Sequence, residues 1–226
     1  MILAFDTATA ATVVGVADED GTLRAAGRHD PAPGERPGHP QQLLPLAAAA
    51  LQEAGAAWSE LTRIGAGVGP GTFTGLRIGI ATARALAQGL GVAVAPVSTL
   101  HALALAARTD GDGPVVAVID ARRGEAFVAG YDAAGRPVLP PAAWRPEQLA
   151  GVPELVPGAW RAVGDGAVHF REDLEAAGVA VAADDSPLHR VSAAALCRLA
   201  AEGPTVQRDA LVPEYVRAPD AIPRRP

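Results

Sequence analysis

Two stretches of this chain share one pattern: residues 2–21, ILAFDTATAATVVGVADEDG, and residues 115–135, VVAVIDARRGEAFVAGYDAAG. In both, an apolar strand-like run ends at an aspartate, a second apolar run follows, and a turn with glycine closes the pattern. Asp120 follows Asp6, and Gly135 follows Gly21, by the same 114 residues. The repeat predicts an internal duplication, with one lobe over residues 1–109 and a second over residues 110–226.

The first lobe continues with alternating helices and strands. Strands are predicted at 2–5, 11–17, 23–28, 64–68 and 92–97, and helices at 41–54, 73–90 and 99–108. Helical crossovers make the later strands parallel. This α/β pattern resembles the actin-like (ASKHA) fold of actin, Hsp70 and sugar kinases. That fold has two ribonuclease H-like lobes, each a mixed sheet flanked by helices, and here the second lobe is expected to be reduced.

In that fold the two aspartates usually mark a nucleotide cleft, so Asp6 and Asp120 are the candidate nucleotide ligands. Phosphates must approach backbone N–H groups closely, which a glycine after the aspartate permits. Ala8 occupies that place in the first lobe, and the second lobe also lacks the glycine. Two interpretations stay open, a strand-end cap and a residual nucleotide site. We expect no cofactor.

The glycine-rich segment 67–75, GVGPGTFTG, is similar to phosphate-binding loops only at first sight. A P-loop continues with lysine and then serine or threonine, but Leu76 and Arg77 follow Gly75. A dinucleotide-binding loop would need glycine in place of Thr72. The segment therefore predicts a turn and a helix start, with anion binding at the free N–H groups as the weaker alternative.

The helix over 73–90 has two distinct faces. Apolar residues three and four apart form a stripe that we expect in the core: Phe73, Leu76, Ile80, Ala83, Ala87 and Leu90. A second face carries Gly75, Gly79, Thr82 and Leu86, and each helical glycine costs about 1 kcal/mol relative to alanine. Close approach of another helix would offset that cost. The residues leave open whether that neighbour is the chain's own helix over 41–54 or a helix of another polypeptide.

Composition and the remaining reactive residues indicate no catalytic centre. The net charge of −6 argues against a free-standing nucleic-acid binder, so any RNA contact is expected to be made through another subunit. His39 lacks a second ligand three or four residues on, since Gln42 and Leu43 stand there, and no metal is expected. Cys197, in an alanine-rich helix, is expected to be buried and unreactive. No stretch is long and apolar enough for a membrane span, and we expect a cytoplasmic protein.

Three motifs carry a resemblance to a known family: 2–7, ILAFDT; 39–45, HPQQLLP; and 67–87, GVGPGTFTGLRIGIATARALA. They resemble the bacterial TsaB family of threonylcarbamoyladenosine biosynthesis proteins. The segment VIDARRGEAFVAGY and the tail residues 213–217, PEYVR, are similar as well. The resemblance covers nearly the whole chain.

The resemblance implies a non-catalytic subunit of the complex that modifies the adenosine next to the anticodon in tRNAs reading codons that begin with A. It implies pairing with a catalytic paralogue, TsaD, joined by the ATPase TsaE, and homodimers when the paralogue is absent. The paralogue has an H-x-x-x-H metal motif, whereas here Leu43 follows His39. The implied partner-binding residues lie on two helices and the turn between them: His39, Gln42, Leu43, Leu46, Gly69, Gly71, Thr74, Gly75, Arg77, Ile78, Gly79, Thr82 and Leu86.

Two rival functions remain at this point. One is an ATP-dependent enzyme of the actin superfamily, such as a small kinase with Asp6 and Asp120 in its cleft. The other is a metallopeptidase. In the leading hypothesis, leucine at Gly75 or Gly79 blocks the partner and leaves the monomer folded.

Overall fold

The computed structural model describes residues 1–32, 34–108, 113–152, 155–156 and 158–217. These residues form ten strands and six α-helices. The strands are β1 (Ile2–Asp6), β2 (Thr12–Ala17), β3 (Leu23–His29), β4 (Arg63–Gly69), β5 (Ala93–Ser98), β6 (Val115–Arg122), β7 (Glu125–Tyr131), β8 (Pro137–Trp144), β9 (Arg161–Val163) and β10 (Ala180–Val181). The helices are α1 (His39–Glu53), α2 (Phe73–Leu90), α3 (Thr99–Ala107), α4 (Asp165–His169), α5 (Arg171–Ala176) and α6 (Ala193–Glu202).

The strands form two five-stranded sheets with the same topology. The first has the order β3-β2-β1-β4-β5 and the second β8-β7-β6-β9-β10. In each, three antiparallel strands are followed by two parallel ones. Asp6 and Asp120 lie at equivalent places, near the end of the first strand of each sheet. The predicted two-lobed, duplicated α/β fold is therefore confirmed.

Several predicted elements are reproduced closely. Helix α2 has the predicted bounds, because Gly91 adopts φ +70° and ends it in the left-handed conformation. Helix α1 begins two residues earlier than predicted, with Pro40 in its first turn, where a missing N–H costs nothing. Pro45 lies inside α1 on the exposed side.

The first sheet is covered on both faces. Successive residues of β1 point to opposite sides: Leu3 and Phe5 pack in one core with α1 and α2, and Ile2 and Ala4 in another. The second of these cores also contains residues of α3, α6 and the second sheet, so the two sheets share it. Helices α1 and α2 therefore form the outer layer of the first lobe.

The last helix returns to the first lobe. Helix α6 packs against β1, β2 and β4, although it follows all strands of the second sheet. The expected division between the lobes, at 109–110, lies outside the described residues. The two expected lobes therefore do not pack as separate units, because α6, from the second half of the chain, covers one face of the first sheet.

Candidate functional site

The outer surface of α1 and α2 is the candidate docking site. The two helices contact each other side by side on the first sheet. Among the exposed residues of the two helices, seven are small or apolar and make up the middle of this outer surface: Leu44, Pro45, Ala48 and Ala49 on α1, and Thr74, Ala81 and Ala85 on α2. Leu44 keeps 47% of its surface exposed. We call these seven residues the docking surface.

The predicted partner-binding residues divide into three groups by burial. Two are exposed, Thr74 and Arg77. Six are half-buried: Gln42, Leu46, Gly71, Ile78, Thr82 and Leu86. Five are buried: His39, Leu43, Gly69, Gly75 and Gly79. Only the first two groups have surface that a partner can touch in the folded chain.

The two predicted partner-binding residues of α1 that are buried, His39 and Leu43, serve this chain's own core. His39 is 3% exposed, and its Nδ1 lies 2.8 Å from the hydroxyl of Thr12. Leu43 packs in the core between α1 and the first sheet. Burial lowers the pKa of His39, which favours the neutral ring. Both residues position α1, and neither is available to a partner.

The structure corrects the interpretation of the glycine face of α2. A Cβ at Gly75 would overlap the carbonyl oxygen of Thr7, and a Cβ at Gly79 would overlap the hydroxyl of the same threonine. That hydroxyl donates a hydrogen bond of 2.8 Å to the Gly75 carbonyl. The neighbour that requires the glycines is thus the turn after β1, not a helix. Leucine at either position would disrupt the monomer, contrary to our expectation.

Sequence reasoning missed most of the docking surface. The sequence analysis did not name Leu44, Ala48, Ala81 or Ala85. Residues 43–51 of α1 are all apolar, and such a pattern indicates a helix that is buried on both of its faces. Phe73 was expected in the core and is instead 52% exposed. It lies at the first turn of α2, beyond the edge of the sheet, where the stripe no longer has strands beneath it.

Asp6 is enclosed by the protein on all sides. Its Oδ1 accepts a hydrogen bond of 2.7 Å from the Ala8 N–H, and its Oδ2 accepts one of 2.7 Å from the Thr99 hydroxyl. On the third side, a Cβ on Gly67 would overlap the carboxylate. The side chain joins β1, β4 and α3, as expected for a strand-end cap.

Asp120 differs from its counterpart, because it borders an open cleft between the lobes. One of its carboxylate oxygens lies 3.0 Å from the Arg122 guanidinium, and the other accepts a hydrogen bond of 2.7 Å from the Arg122 N–H. Its own N–H donates to the carboxylate of Asp165. Among the described residues, no group of three histidine, cysteine or acidic side chains could hold a metal ion.

The enclosed carboxyl of Asp6 makes stability depend on pH. Burial raises its pKa above the ordinary 3.8, although two hydrogen bonds oppose the shift. The pKa of Asp6 is therefore higher in the folded state than in the unfolded chain. The protonated carboxyl stabilises the fold fully below about pH 3.8, and this stabilisation is lost as the pH rises through the folded-state pKa. We predict that Asp6→Asn gains stability relative to the unmodified chain over that rise, measured by urea unfolding at a series of pH values.

Asp132 provides the control of opposite sign. A hydrogen bond from the Arg136 N–H is the main cause that lowers the pKa of Asp132. The ionised Asp132 carboxylate therefore stabilises the fold above its unfolded-state pKa, and this stabilisation is lost as the pH falls through its folded-state pKa. Asp132→Asn lacks this stabilisation, so it should become less stable than the unmodified chain as the pH rises. Parallel pH profiles for the unmodified chain and Asp6→Asn would contradict the assignment.

Comparison with known proteins identifies the family of this chain. A family model described as TsaD: tRNA N6-adenosine threonylcarbamoyltransferase matches residues 35–198. The tRNA threonylcarbamoyladenosine biosynthesis protein TsaB of Escherichia coli K12 is 36% identical over 131 residues, which are 58% of this chain and 54% of that protein. The structure of YeaZ from Pseudomonas aeruginosa superposes with a TM-score of 0.79 at 32% identity, covering 95% of this chain and 98% of that one.

A more distant structure shows the fold alone. The ethanolamine utilization protein EutJ from Carboxydothermus hydrogenoformans superposes with a TM-score of 0.50 at 17% identity, over 87% of this chain and 88% of that one. The chain thus has the two-lobed actin-like fold.

Within that class, the chain belongs to the TsaD family of tRNA N6-adenosine threonylcarbamoyltransferases, among its YeaZ-like members, which include TsaB. The chain spans about half the length of the curated relative that it matches, 54% of the E. coli protein, but nearly all of the Pseudomonas YeaZ. In the described residues, no helix is both long and apolar enough to cross a bilayer.

Proposed function

We propose that this chain is a non-catalytic subunit of the complex that makes threonylcarbamoyladenosine in tRNA, and that its docking surface binds the catalytic paralogue TsaD. The observation that carries the proposal is the uncharged outer surface of α1 and α2. Likeness to a protein named for threonylcarbamoyladenosine biosynthesis supplies the pathway. We include the ATPase TsaE as the third component.

The absence of charge on this surface follows from the sequence of the two helices. Between His39 and Glu53, α1 has no charged side chain. Helix α2 has only two, Arg77 and Arg84, and both are engaged at its edges. The Arg84 guanidinium donates to the Leu211 carbonyl at 2.7 Å, and that of Arg77 lies 3.8 Å from the centre of the Phe73 ring. The middle of the surface is left apolar, as in the core of a protein interface.

A paralogue of the same fold is the partner that this surface suits. Related proteins with equivalent helix pairs can meet around a pseudo-two-fold axis, each presenting the same two helices to the other. The same surface would join two copies of this chain when the paralogue is absent. A four-helix contact of this kind needs small side chains at its centre for close packing, and Ala48, Ala81 and Ala85 supply them.

The interior of the molecule supports a non-catalytic role. Asp6, which would reach a nucleotide in an active member of the superfamily, is enclosed by hydrogen bonds within the chain. The turn that would cradle a phosphate is covered by the start of α2, where the Thr72 N–H donates to the Ala8 carbonyl at 2.7 Å. The backbone groups at this turn therefore already have partners inside the protein.

The test is reconstitution with the paralogue from the same genome. We expect co-expressed chains to purify as one complex, and this complex to modify tRNA when supplied with TsaE and threonylcarbamoyl-adenylate, whereas this chain alone does not. Modified nucleoside is measured by mass spectrometry after digestion of the tRNA. Failure to co-purify would contradict the docking role, and calorimetric binding of ATP and magnesium by this chain alone would favour the kinase-like rival.

A further inference from the structure

A second surface feature, separate from the middle of the docking surface, is the cleft between the start of α2 and the β6–β7 hairpin. Its volume is about 600 Å³, within the range of small-molecule and nucleotide pockets. Three segments distant in sequence form it: 70–76, 120–127 and 214–217. We call it the arginine–aromatic cleft, after the residues described below.

Two aromatic rings form one wall of the arginine–aromatic cleft. Phe73 and Tyr215 stack with their centres 5.9 Å apart and their planes at 25°. They are 52% and 48% exposed, and no other phenylalanine, tyrosine or tryptophan of this chain is exposed. The Arg77 guanidinium covers one face of the Phe73 ring, 3.8 Å from its centre, so the exposed Tyr215 ring supplies the flat face that a ligand could stack on.

Arginines form the opposite wall of the cleft. Arg122 and Arg123, in the β6–β7 hairpin, line it together with Arg217. Arg122 has φ +64° and Arg123 has φ +60°, the left-handed conformation that non-glycine residues rarely adopt. Such residues persist where the surrounding structure holds them, and they cluster at ligand sites. The hairpin thus places two guanidinium groups at the cleft at a cost in backbone strain.

The tail segment that completes the cleft is held in place by α2 and β4. The Glu214 N–H donates to the Val68 carbonyl at 2.8 Å, and Arg84 donates to the carbonyls of Asp209 and Leu211 at 3.0 and 2.7 Å. These bonds fix Tyr215 beside Phe73. The cleft is therefore formed before any ligand arrives.

The acidic residues near the cleft leave a positive balance. Asp120 is paired with Arg122 at 3.0 Å, and Glu125 with Arg217 at 2.9 Å. Glu214 is the second acidic residue of the lining, and burial raises the pKa of its carboxyl. Counted by formal charge, four arginines stand against these three acidic residues: Arg122, Arg123 and Arg217 in the lining, and Arg77 over the Phe73 ring. The net charge of −6 for the whole chain therefore does not describe this part of its surface.

We propose that the arginine–aromatic cleft binds a single-stranded segment of RNA directly, with a base stacked on the Tyr215–Phe73 pair and phosphates facing the arginines. Unstacked bases in RNA loops are recognised by stacking on aromatic rings and guanidinium planes, and every base offers such a face. An acidic peptide would use the arginines but not the flat exposed rings.

This inference rests on the proposed function, because the RNA would be the tRNA that the complex modifies. It differs from the expectation that tRNA is contacted only indirectly. That expectation used the charge of the whole chain, whereas the cleft combines residues from three separate segments. The cleft adjoins the docking surface through Phe73 and Thr74 at the start of α2, so one RNA could lie against both subunits.

The experiment measures binding of a fluorescent RNA hairpin that copies the anticodon arm, by this chain alone and by its complex with the paralogue. We expect Tyr215→Leu, which keeps apolar bulk and removes the aromatic face, to weaken RNA binding by about tenfold. Arg122→Gln should weaken it several-fold and lower the slope of log affinity against log salt by about 0.7. Arg136→Gln is the matched control, since Arg136 is also an exposed arginine paired with an aspartate, at 2.7 Å, but in another hairpin.

The outcomes separate this inference from the proposed function. Loss of affinity in both cleft variants, with Arg136→Gln unchanged, supports the RNA site. Unchanged affinity in both cleft variants overturns it, as does the absence of RNA binding by both the unmodified chain and the complex. If the cleft variants no longer bind the paralogue but still bind RNA with unchanged affinity, the cleft binds a protein segment and the inference is wrong. If the complex never assembles, the proposed function fails, and the RNA measurement on the chain alone still tests the cleft.

Discussion

Ala48→Arg and Ala81→Arg should each abolish binding of the catalytic paralogue while leaving the monomer folded. Both alanines are exposed in the monomer and lie in the middle of the docking surface. Arginine is a good helix former, so neither change should destabilise α1 or α2. In the complex, the guanidinium would be buried against an apolar helix without a partner, and such burial costs several kcal/mol. We expect affinity to fall by about 100-fold or more, measured by sedimentation or calorimetry.

The control for these variants is Ala194→Arg. Ala194 is an exposed alanine of α6, which packs on the opposite face of the first sheet. Ala194→Arg adds the same charge and bulk away from the docking surface. It should therefore leave binding of the paralogue unchanged. The docking assignment would be wrong if Ala48→Arg and Ala81→Arg both paired with the affinity of the unmodified chain, or if Ala194→Arg were as damaging as they are.

The duplicated fold could be predicted because its signal is local. Strand, aspartate, strand and turn occur within 20 residues, and the second copy repeats the spacing of Asp6 and Gly21. Register and turn residues then determine antiparallel pairing. The return of α6 to the first sheet could not be predicted in this way, because it depends on a contact between segments more than 100 residues apart, such as that between Cys197 and Gly15.

The exposed residues of α1 and α2 that form the proposed docking surface could not be listed from the sequence. Periodicity shows which side of a helix is apolar, but it does not show which apolar side faces the sheet. In α1 both sides are apolar. Leu43 and Ala47 are buried against the sheet, whereas Leu44 and Ala48 are exposed. The family resemblance pointed to the pair of helices that carries the proposed docking surface. Burial in the folded chain is what separates their inner residues from their outer ones.

The arginine–aromatic cleft could not be predicted from the sequence at all. Phe73 belongs to an apolar stripe, and that pattern predicts a core residue. Its contact with Tyr215 joins positions 142 residues apart along the chain. The left-handed conformation of Arg122 has no sequence signal, because such positions usually carry glycine, asparagine or aspartate. Both features arise only when the tail segment packs beside α2.

Gly75→Ala should destabilise the fold severely, whereas Gly89→Ala in the same helix should stabilise it. A Cβ at Gly75 would overlap the carbonyl oxygen of Thr7, and backbone cannot move aside as a flexible side chain can. Overpacking of this kind costs about 3 kcal/mol or more. Nothing lies within 4 Å of a Cβ at Gly89, so alanine there should gain about 0.5–1 kcal/mol from helix propensity. Urea unfolding measures both.

Gly79→Ala tests whether Thr7 is the neighbour that requires these glycines. Its Cβ would overlap only the hydroxyl of Thr7, and the next nearest atom, the Thr7 Cβ, would lie at 3.8 Å. Removing that hydroxyl in Thr7→Ala should therefore rescue Gly79→Ala, while Gly75→Ala, which meets the backbone carbonyl, stays destabilised. A double-mutant cycle measures this coupling free energy, which should be about 1 kcal/mol or more for atoms in direct contact. Equal costs of Gly79→Ala with and without the Thr7 hydroxyl would mean that the glycines are required by another neighbour, and a partner helix would again be the leading explanation.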